Sequence, residues 1–243
     1  MEKILELKNV SKSFGKVSVF RNIHLDLYRG EILALVGENG AGKSTMMNLL
    51  GGVYPFGQYE GEIYVKNELC RFKDANDSKM AGIEMIHQEI SLHTELTVAE
   101  NVLLGNWNAK HGFIKWKHTY EEAEKYLHKV RLDADPRTMV YNLSTSQQQL
   151  LSIAKALAAN PQILLFDEPT SALTETDAEN LIEIIKELSK NGISCIYISH
   201  KLDEVFALAD RIAVLRDGNL VSTYKKEAVD ADRIIEDMVG RKL

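Results

Sequence analysis

The stretch GENGAGKST, residues 37–45, constrains the fold of this chain more than any other. It follows EILALVG (31–37), a nearly continuous apolar run typical of a strand buried on both faces, and it precedes TMMNLLGG (45–52), which reads as a helix. Glycines let a backbone curl until several N–H groups face one anion, and the N-terminus of the next helix adds partial positive charge. This setting predicts a nucleoside triphosphate site on an α/β fold.

The residue types of this loop predict different contacts with the phosphates and the metal ion. In the pattern G-x-x-x-x-G-K-[ST], Lys43 reaches the β- and γ-phosphates and the Ser44 hydroxyl coordinates Mg²⁺. The alternative, an ordinary glycine-rich turn between a strand and a helix, does not require the full motif at this place. The predicted nucleotide contacts are Gly37, Glu38, Asn39, Gly40, Ala41, Gly42, Lys43, Ser44 and Thr45.

Two further apolar runs end in side chains that suit phosphate chemistry. ILLFDEP (163–169) would carry Asp167 to the open end of the sheet, where it can hold the metal through water. Glu168 is then the candidate general base for an attacking water, although two acids at a strand end can also be a solvated terminus. ISCIYISH (193–200) ends in His200. A lone histidine is usually structural, but one at the same sheet edge as Asp167 favours contact with the γ-phosphate.

The remaining patterns predict one α/β domain over residues 1–243. ILELKNV (4–10) and NIHLDLY (22–28) alternate as half-buried antiparallel strands do, and GEIYVKN (61–67) indicates an edge strand. RIAVLRDGNLVSTY (211–224) predicts a hairpin around Asp217 and Gly218.

The middle of the chain is predicted to be helical. A helical subdomain is expected at roughly 95–160, inserted into the α/β core, and a further helix runs from Thr174 to Gly192. GNWNAKHGFIKWKH (105–118) is the least regular stretch and indicates a surface insertion within the helical block.

Composition narrows the class of protein. A net charge of −6 argues against a nucleic-acid binder, because such a surface repels the phosphate backbone. No apolar run approaches the roughly 18 residues that cross a bilayer, and the first residues lack the pattern of a signal peptide. Cys70 and Cys195 form no CxxC pair, which indicates a reducing compartment. We therefore expect a cytosolic protein.

Seven motifs, in this order, resemble those of the ATP-binding subunits of ABC transporters, and the resemblance spans the whole chain. They are Phe14 in SKSFG, GENGAGKST, Gln88 in MIHQEISL, the signature LSTSQ (143–147), ILLFDEP, SALT (171–174) and His200. The resemblance implies a P-loop NTPase core of ABC type with an antiparallel β subdomain and an inserted helical subdomain. It also implies that Phe14 stacks on the adenine of ATP, that Gln88 contacts Mg²⁺ and the attacking water, and that SALT touches the opposite subunit.

Longer segments resemble the ATPases of bacterial monosaccharide importers, and most of all the subunit of the xylose importer. Examples are GGVYPFGQYEGEI (51–63) and YISHKLDEVFALADRIAVLRDG (197–218). The resemblance implies an ATP hydrolase that energises sugar import from the inner face of the cell membrane. The implied partners are sugar permease subunits and, indirectly, a periplasmic or extracellular sugar-binding protein. Proteins of this kind carry two ATPase halves, which implies that this is the first half and that a second ATPase domain is its face-to-face partner.

The signature departs from the family pattern L-S-x-G-Q. In the family, the serine hydroxyl and the glycine N–H reach across a dimer to the γ-phosphate held by the opposite subunit. Ser144 matches, but Ser146 adds a Cβ where the backbone must approach the phosphate closely. Thr174 also departs, since the wider family has Asp there. We expect a weakened contribution from this signature and an unaffected site at residues 37–45.

Two other functions fit some of these motifs. A soluble ABC ATPase of DNA repair or translation would share them, but the acidic charge and the sugar-type segments weigh against it. A regulatory module that binds ATP with little turnover would be favoured by a missing Glu168, which is present.

Overall fold

The computed structural model describes residues 2–105, 109–110 and 113–241. The chain forms two compact units. Unit 1 comprises Met1–Met85, Gln162–Glu168 and Ile185–Leu243, and unit 2 comprises Ile86–Pro161 and Pro169–Ile184.

The strands in chain order are β1 (Lys3–Phe14), β2 (Val17–Tyr28), β3 (Ile32–Val36), β4 (Glu60–Val65), β5 (Glu68–Cys70), β6 (Ile83–Ile86), β7 (Ala109–Lys110), β8 (Phe113–Ile114), β9 (Ile163–Asp167), β10 (Ser194–Ile198), β11 (Arg211–Arg216) and β12 (Asn219–Lys225). The helices are α1 (Lys43–Leu50), α2 (Ala75–Met80), α3 (Val98–Val102), α4 (Trp116–Lys129), α5 (Thr145–Ala158), α6 (Glu175–Lys190), α7 (Leu202–Leu208) and α8 (Ala231–Val239).

A six-stranded sheet with the order β12-β11-β3-β10-β9-β6 forms the centre of the fold. Strands β11, β3, β10 and β9 run parallel, and β12 pairs antiparallel with β11. All five residues of β3 are buried. Leu33 and Leu35 belong to one apolar core, while Ala34 and Val36 belong to the core on the opposite face. Because both faces are covered, the strand reads as a continuous apolar run, as the sequence predicted.

A second, antiparallel sheet has the order β2-β1-β4-β5. The two alternating antiparallel strands predicted at 4–10 and 22–28 are confirmed as parts of β1 and β2. The prediction that residues 61–67 form an edge strand is wrong, because β5 pairs outside β4 with Val65 opposite Glu68. Lys66 and Asn67, which join the two strands, both have positive φ angles of 52° and 65°. A two-residue hairpin turn needs this geometry. Because neither position is a glycine, this turn has little signal in the amino-acid sequence.

Helices α3, α4 and α5 lie in unit 2, and α5 begins with a capping box between Ser144 and Gln147. The predicted hairpin is confirmed by β11 and β12, with Asp217 and Gly218 both in the left-handed region. The predicted surface insertion at 105–118 contains the short β7–β8 pair, and part of it lies outside the described residues. In the described part of the chain, no helix has the length and apolar character of a membrane span.

A buried ion pair joins the amino ends of two adjacent strands of the central sheet, β3 and β11. Glu31, just before β3, is 5% exposed, and its carboxylate accepts hydrogen bonds from the Tyr28 N–H at 2.7 Å and from Arg211 Nη1 at 3.1 Å. Burial raises the pKa of Glu31, and the bonds from Tyr28 and Arg211 offset part of that rise. The arginine therefore makes burial of this carboxylate tolerable.

We predict that Arg211→Met lowers the free energy of unfolding by about 3 kcal/mol near pH 8, because Glu31 is left buried without its cation. The folded-state pKa of Glu31 lies above its unfolded value, so protonation relieves the loss. The deficit should shrink as the pH falls through that raised pKa towards the unfolded one. Urea unfolding at several pH values measures it.

Arg29→Met is the matched control, because it removes an exposed ion pair with Glu2. It should change stability little at any pH. Equal effects of the two variants, or a deficit of Arg211→Met that grows as the pH falls, would contradict the assignment.

Candidate functional site

The phosphate-binding loop connects β3 to α1 in unit 1, and two of its glycines are sterically required. A Cβ on Gly37 would collide with the carbonyl oxygen of Leu215. Gly42 has φ 107°, and a Cβ there would lie 3.1 Å from Val19 Cγ1 in β2. At both positions, glycine is the residue that fits the backbone conformation and the close contact with the least strain. The loop therefore has one tightly held shape, with Glu38, Asn39 and Gly40 exposed at its tip.

Lys43 opens α1 and turns its ammonium group back into the loop. The residue is 6% exposed, and Nζ donates hydrogen bonds to the carbonyl oxygens of Gly37 at 2.8 Å and Glu38 at 3.0 Å. Burial lowers the pKa of Lys43, while the charges of Glu168 and Asp167 offset part of the fall. A buried cation is thus held inside the loop that precedes a helix N-terminus, which is the arrangement that binds a polyphosphate.

Asp167 and Ser44 form the candidate metal site. Asp167 ends β9 and is 7% exposed, and Ser44 Oγ donates to Asp167 Oδ1 at 3.4 Å. A hydroxyl and a carboxylate are hard oxygen donors of the kind that Mg²⁺ prefers, so the residues fit the ion. In the part of the chain that the structure describes, no group of three or more His, Cys, Asp or Glu side chains could hold a metal. Mg²⁺ usually takes one or two protein ligands and completes its shell with phosphate and water.

Glu168 and His200 meet at the same edge of the sheet. The N–H of Glu168 donates to the Ile198 carbonyl at 3.1 Å, and Glu168 Oε2 lies 3.4 Å from His200 Nδ1. Glu168 has φ 47°, a left-handed conformation that costs free energy in a residue other than glycine. Local strain of this kind is found where a side chain must be aimed.

Sequence reasoning missed the carboxylate that supports the His200 turn. Glu204 in α7 is 7% exposed and accepts hydrogen bonds from Tyr197 Oη and Ser199 Oγ, both at 2.9 Å. Lys201 Nζ lies 3.1 Å from its other oxygen. The signal in the sequence was an acid four residues after the histidine, at a helix start. Glu204 holds both residues next to His200 in the chain.

Phe14 ends β1, is 46% exposed and pairs across the hairpin with Val17. Its ring lies 5.4 Å from that of Tyr54, edge to face. Val19, two residues beyond Val17, is the side chain next to Gly42 of the phosphate loop. The predicted adenine-stacking residue therefore lies in the hairpin that borders the loop.

Three predicted site residues lie in unit 2. Gln88 is exposed and follows β6 closely, and its contact with metal and water stays a prediction. Ser144 is the exposed N-cap of α5, where its hydroxyl oxygen accepts from the Gln147 N–H at 3.3 Å. Ser146 is half-buried, and its hydroxyl donates to Asp177 Oδ2.

The two residues that depart from the family pattern share one partner. Thr174 Oγ1 also donates to Asp177 Oδ2, at 2.8 Å, and accepts from the Asp177 N–H. These two hydrogen bonds, that from Ser146 first, hold the pKa of Asp177 below its usual value. Ser146 stands where the family signature has glycine, and its hydroxyl therefore forms a hydrogen bond within unit 2.

The loop after β3, the inward lysine and the acid at the end of β9 define a P-loop nucleotide-binding fold. Comparisons with known proteins identify its family. The model of the ABC transporter family matches residues 20–171. The chain belongs to the ABC transporter family.

Two curated relatives and one solved structure show the range of similarity. Xylose import ATP-binding protein XylG of Thermoanaerobacter pseudethanolicus is 49% identical over 242 residues, covering 100% of this chain and 48% of that protein. L-arabinose transport ATP-binding protein AraG of Geobacillus stearothermophilus is 49% identical over 244 residues, again covering 100% and 48%. The dimeric structure of an ATP-binding cassette bound to ADP and Pi matches with a TM-score of 0.78 and 29% identity, covering 93% of this chain and 100% of that one.

These matches confirm the predicted family resemblance and the predicted fold class, an ABC-type P-loop NTPase core. The chain spans about half the length of the curated relatives it matches.

We predict that Lys43→Ala raises the dissociation constant for Mg-ATP by about 30-fold or more, because charge-assisted contacts of a buried lysine are worth on the order of 2 kcal/mol. Isothermal titration calorimetry measures the change. Lys190→Ala, an exposed lysine in the last turn of α6, is the control and should bind as the unmodified chain does. Equal affinities of Lys43→Ala and the control would show that the triphosphate binds elsewhere.

Proposed function

We propose that this chain binds and hydrolyses ATP to energise monosaccharide import by an ABC transporter. The observation that carries the proposal is the convergence of Lys43, Asp167, Glu168 and His200 in unit 1, at the ends of parallel strands. Two named relatives serve xylose and L-arabinose, which supports a pentose or related sugar as the cargo.

Binding of the nucleotide is assigned to the loop and the hairpin beside it. The amides of residues 37–45 and Lys43 hold the triphosphate, and Phe14 stacks on the adenine. Ser44 and Asp167 hold Mg²⁺, which when bound neutralises charge on the β- and γ-phosphates. Gln88 is proposed as a further contact to the metal and the attacking water.

Hydrolysis is assigned to Glu168 as general base. Water attacks the γ-phosphorus, its proton passes to the Glu168 carboxylate, and the bond to the ADP oxygen breaks. His200 contacts the γ-phosphate, and its Nδ1 beside Glu168 Oε2 keeps that carboxylate aimed into the site. The support from Ser199, Tyr197 and Glu204 keeps the histidine turn in place.

A second ATPase domain completes the arrangement face to face. Its signature serves the site on this chain, and Ser144 and Ser146 serve the site on the partner. Permease subunits couple to the movement of the paired ATPase domains, and a sugar-binding protein delivers the sugar. The chain acts at the inner face of the cell membrane. A dimeric cassette with bound ADP and Pi supports this pairing.

Glu168→Gln should leave ATP binding nearly intact and slow phosphate release by about 10²- to 10⁴-fold, because the amide keeps the shape but cannot accept a proton. The measurement is steady-state ATPase activity of the complete transporter beside a nucleotide titration. Glu60→Gln, an exposed acid in β4, is the control. A wild-type rate in Glu168→Gln would place the base elsewhere, and loss of binding would show a structural role.

The signature serine generates a second test. We expect the isolated 243-residue chain to be largely monomeric and a poor ATPase, because its natural partner surface is a second domain. Ser146→Gly should raise residual dimer-dependent activity severalfold, since it removes the Cβ and keeps the N–H. Specific activity against protein concentration measures it.

Ser146→Ala separates the two effects of the serine, because it removes the hydroxyl bonded to Asp177 and keeps the Cβ. It should not reproduce the gain. A specific activity that ignores both concentration and Ser146→Gly would show that this signature takes no part in a composite site.

A further inference from the structure

A nearly buried lysine lies over one face of Phe14, the aromatic ring that we assign to the adenine. Lys12 in β1 is 3% exposed, and its Nζ lies over the Phe14 ring at 4.5 Å from the centroid. The same ammonium lies over the Tyr54 ring, also at 4.5 Å. Among the described residues, no carboxylate pairs with it. Lys12 Nζ donates a hydrogen bond to the Gln58 carbonyl oxygen at 2.7 Å.

These contacts fix the orientation of Phe14. Tyr54 meets the Phe14 ring at an interplanar angle of 69°, edge to face, and Lys12 is held by the Gln58 carbonyl. One face of the phenyl ring is thus occupied by a cation, and an aromatic neighbour lies beside the ring at a steep angle. The residue is still 46% exposed, so nearly half of its surface faces solvent.

A cation on one ring face changes what the other face attracts. The ring quadrupole is negative at its faces, and a nearby ammonium draws that density towards itself. The opposite face becomes a better partner for an electron-rich ring, and a purine offers a larger such surface than a pyrimidine. Burial lowers the pKa of Lys12, because the charged ammonium is less stable there than in water. A costly buried cation that lacks a carboxylate partner among the described residues calls for a functional reason.

The position of Lys12, Phe14 and Tyr54 is suited to contact with the base of a nucleotide whose phosphates are bound by the loop. Lys12 pairs across the hairpin with Phe20, and Phe20 and Val19 are the side chains that a Cβ on Gly42 would meet. The aromatic pair and the phosphate loop are therefore neighbours in unit 1, joined through β2. A base on Phe14 and a triphosphate on the loop can belong to one molecule.

We propose that Lys12 and Tyr54 are positioning residues that orient and polarise Phe14 so that its open face selects a purine base. The inference rests on the proposed ATP binding and assigns the base preference of that site to a cation behind the ring. Lys12 acts through Phe14, and touches neither the base nor the phosphates.

The test compares three ligands on the folded chain by calorimetry: Mg-ATP, Mg-CTP and Mg-tripolyphosphate. Lys12→Met should raise the dissociation constant for ATP by about three- to tenfold, change that for CTP less, and leave that for tripolyphosphate unchanged. Lys12→Arg should restore the preference for ATP, because a guanidinium also binds an aromatic face. Tyr54→Leu, which keeps Lys12, should weaken ATP binding in the same selective way.

Lys8→Met is the matched control. Lys8 lies on the same strand with its Nζ 4.5 Å from the centroid of the Tyr64 ring, so the change removes a similar cation–π contact away from the loop. It should alter none of the three constants. A melting curve for each variant confirms that it is folded.

Three outcomes would overturn the inference. An equal loss for ATP and tripolyphosphate would mean that Lys12 acts on the phosphates or on the fold. Unchanged ATP affinity in a folded Lys12→Met would mean that the cation has no influence on the base. Equal loss for ATP and CTP would remove the purine preference. Failure of the proposed function looks different, because the unmodified chain would then bind neither ATP nor tripolyphosphate.

Discussion

The parallel pairing of β3 with β10, and of β10 with β9, determines where this chain can do chemistry. All three strands are buried along their length, so charged groups lie at their ends and not within them. Their carboxyl ends meet at one edge, where the register places Ile198 opposite both Leu35 and Asp167. The phosphate loop, the two acids and His200 follow from that edge, as ligand sites in open α/β sheets generally do. The apolar cores on both faces of the sheet support the site.

Much of this could be predicted because it depends on short-range patterns. The nearly continuous apolar residues of EILALVG and ILLFDEP predict buried strands. The loop between the first strand and its helix matches a motif in which each residue type has a physical reason. Contacts between residues that are distant in the chain could not be predicted in this way. Ser146 and Asp177 are 31 positions apart, and Lys12 and Gln58 are 46 apart. No periodicity indicates that such side chains touch. The β5 strand was missed for a local reason, because Lys66 and Asn67 adopt left-handed geometry without a glycine.

The signature turn shows how two departures from a family pattern can have one cause. Considered separately, Ser146 and Thr174 are a lost glycine and a lost aspartate. In the structure both hydroxyls donate to Asp177, so each change supports the other. The serine therefore has a structural role in addition to whatever contact its N–H makes with a partner. A carboxylate is also brought to the start of α5. In the proposed pairing with a second domain, a phosphate would approach there, and like charges would oppose close contact. The Glu168–His200 pair and the Glu204 carboxylate that supports the histidine turn lie in unit 1 and take no part in this contact.

The central claim is that one edge of the six-stranded sheet receives the triphosphate. Amide chemical shifts of the isotope-labelled chain, followed by NMR during titration with Mg-ATP, test it most directly. We expect the largest changes on residues 37–45, further changes at Asp167, Glu168 and His200, and no changes in β12 and α8. Saturable changes that centre on another part of the chain, such as the loop after α4, with residues 37–45 unmoved, would contradict it.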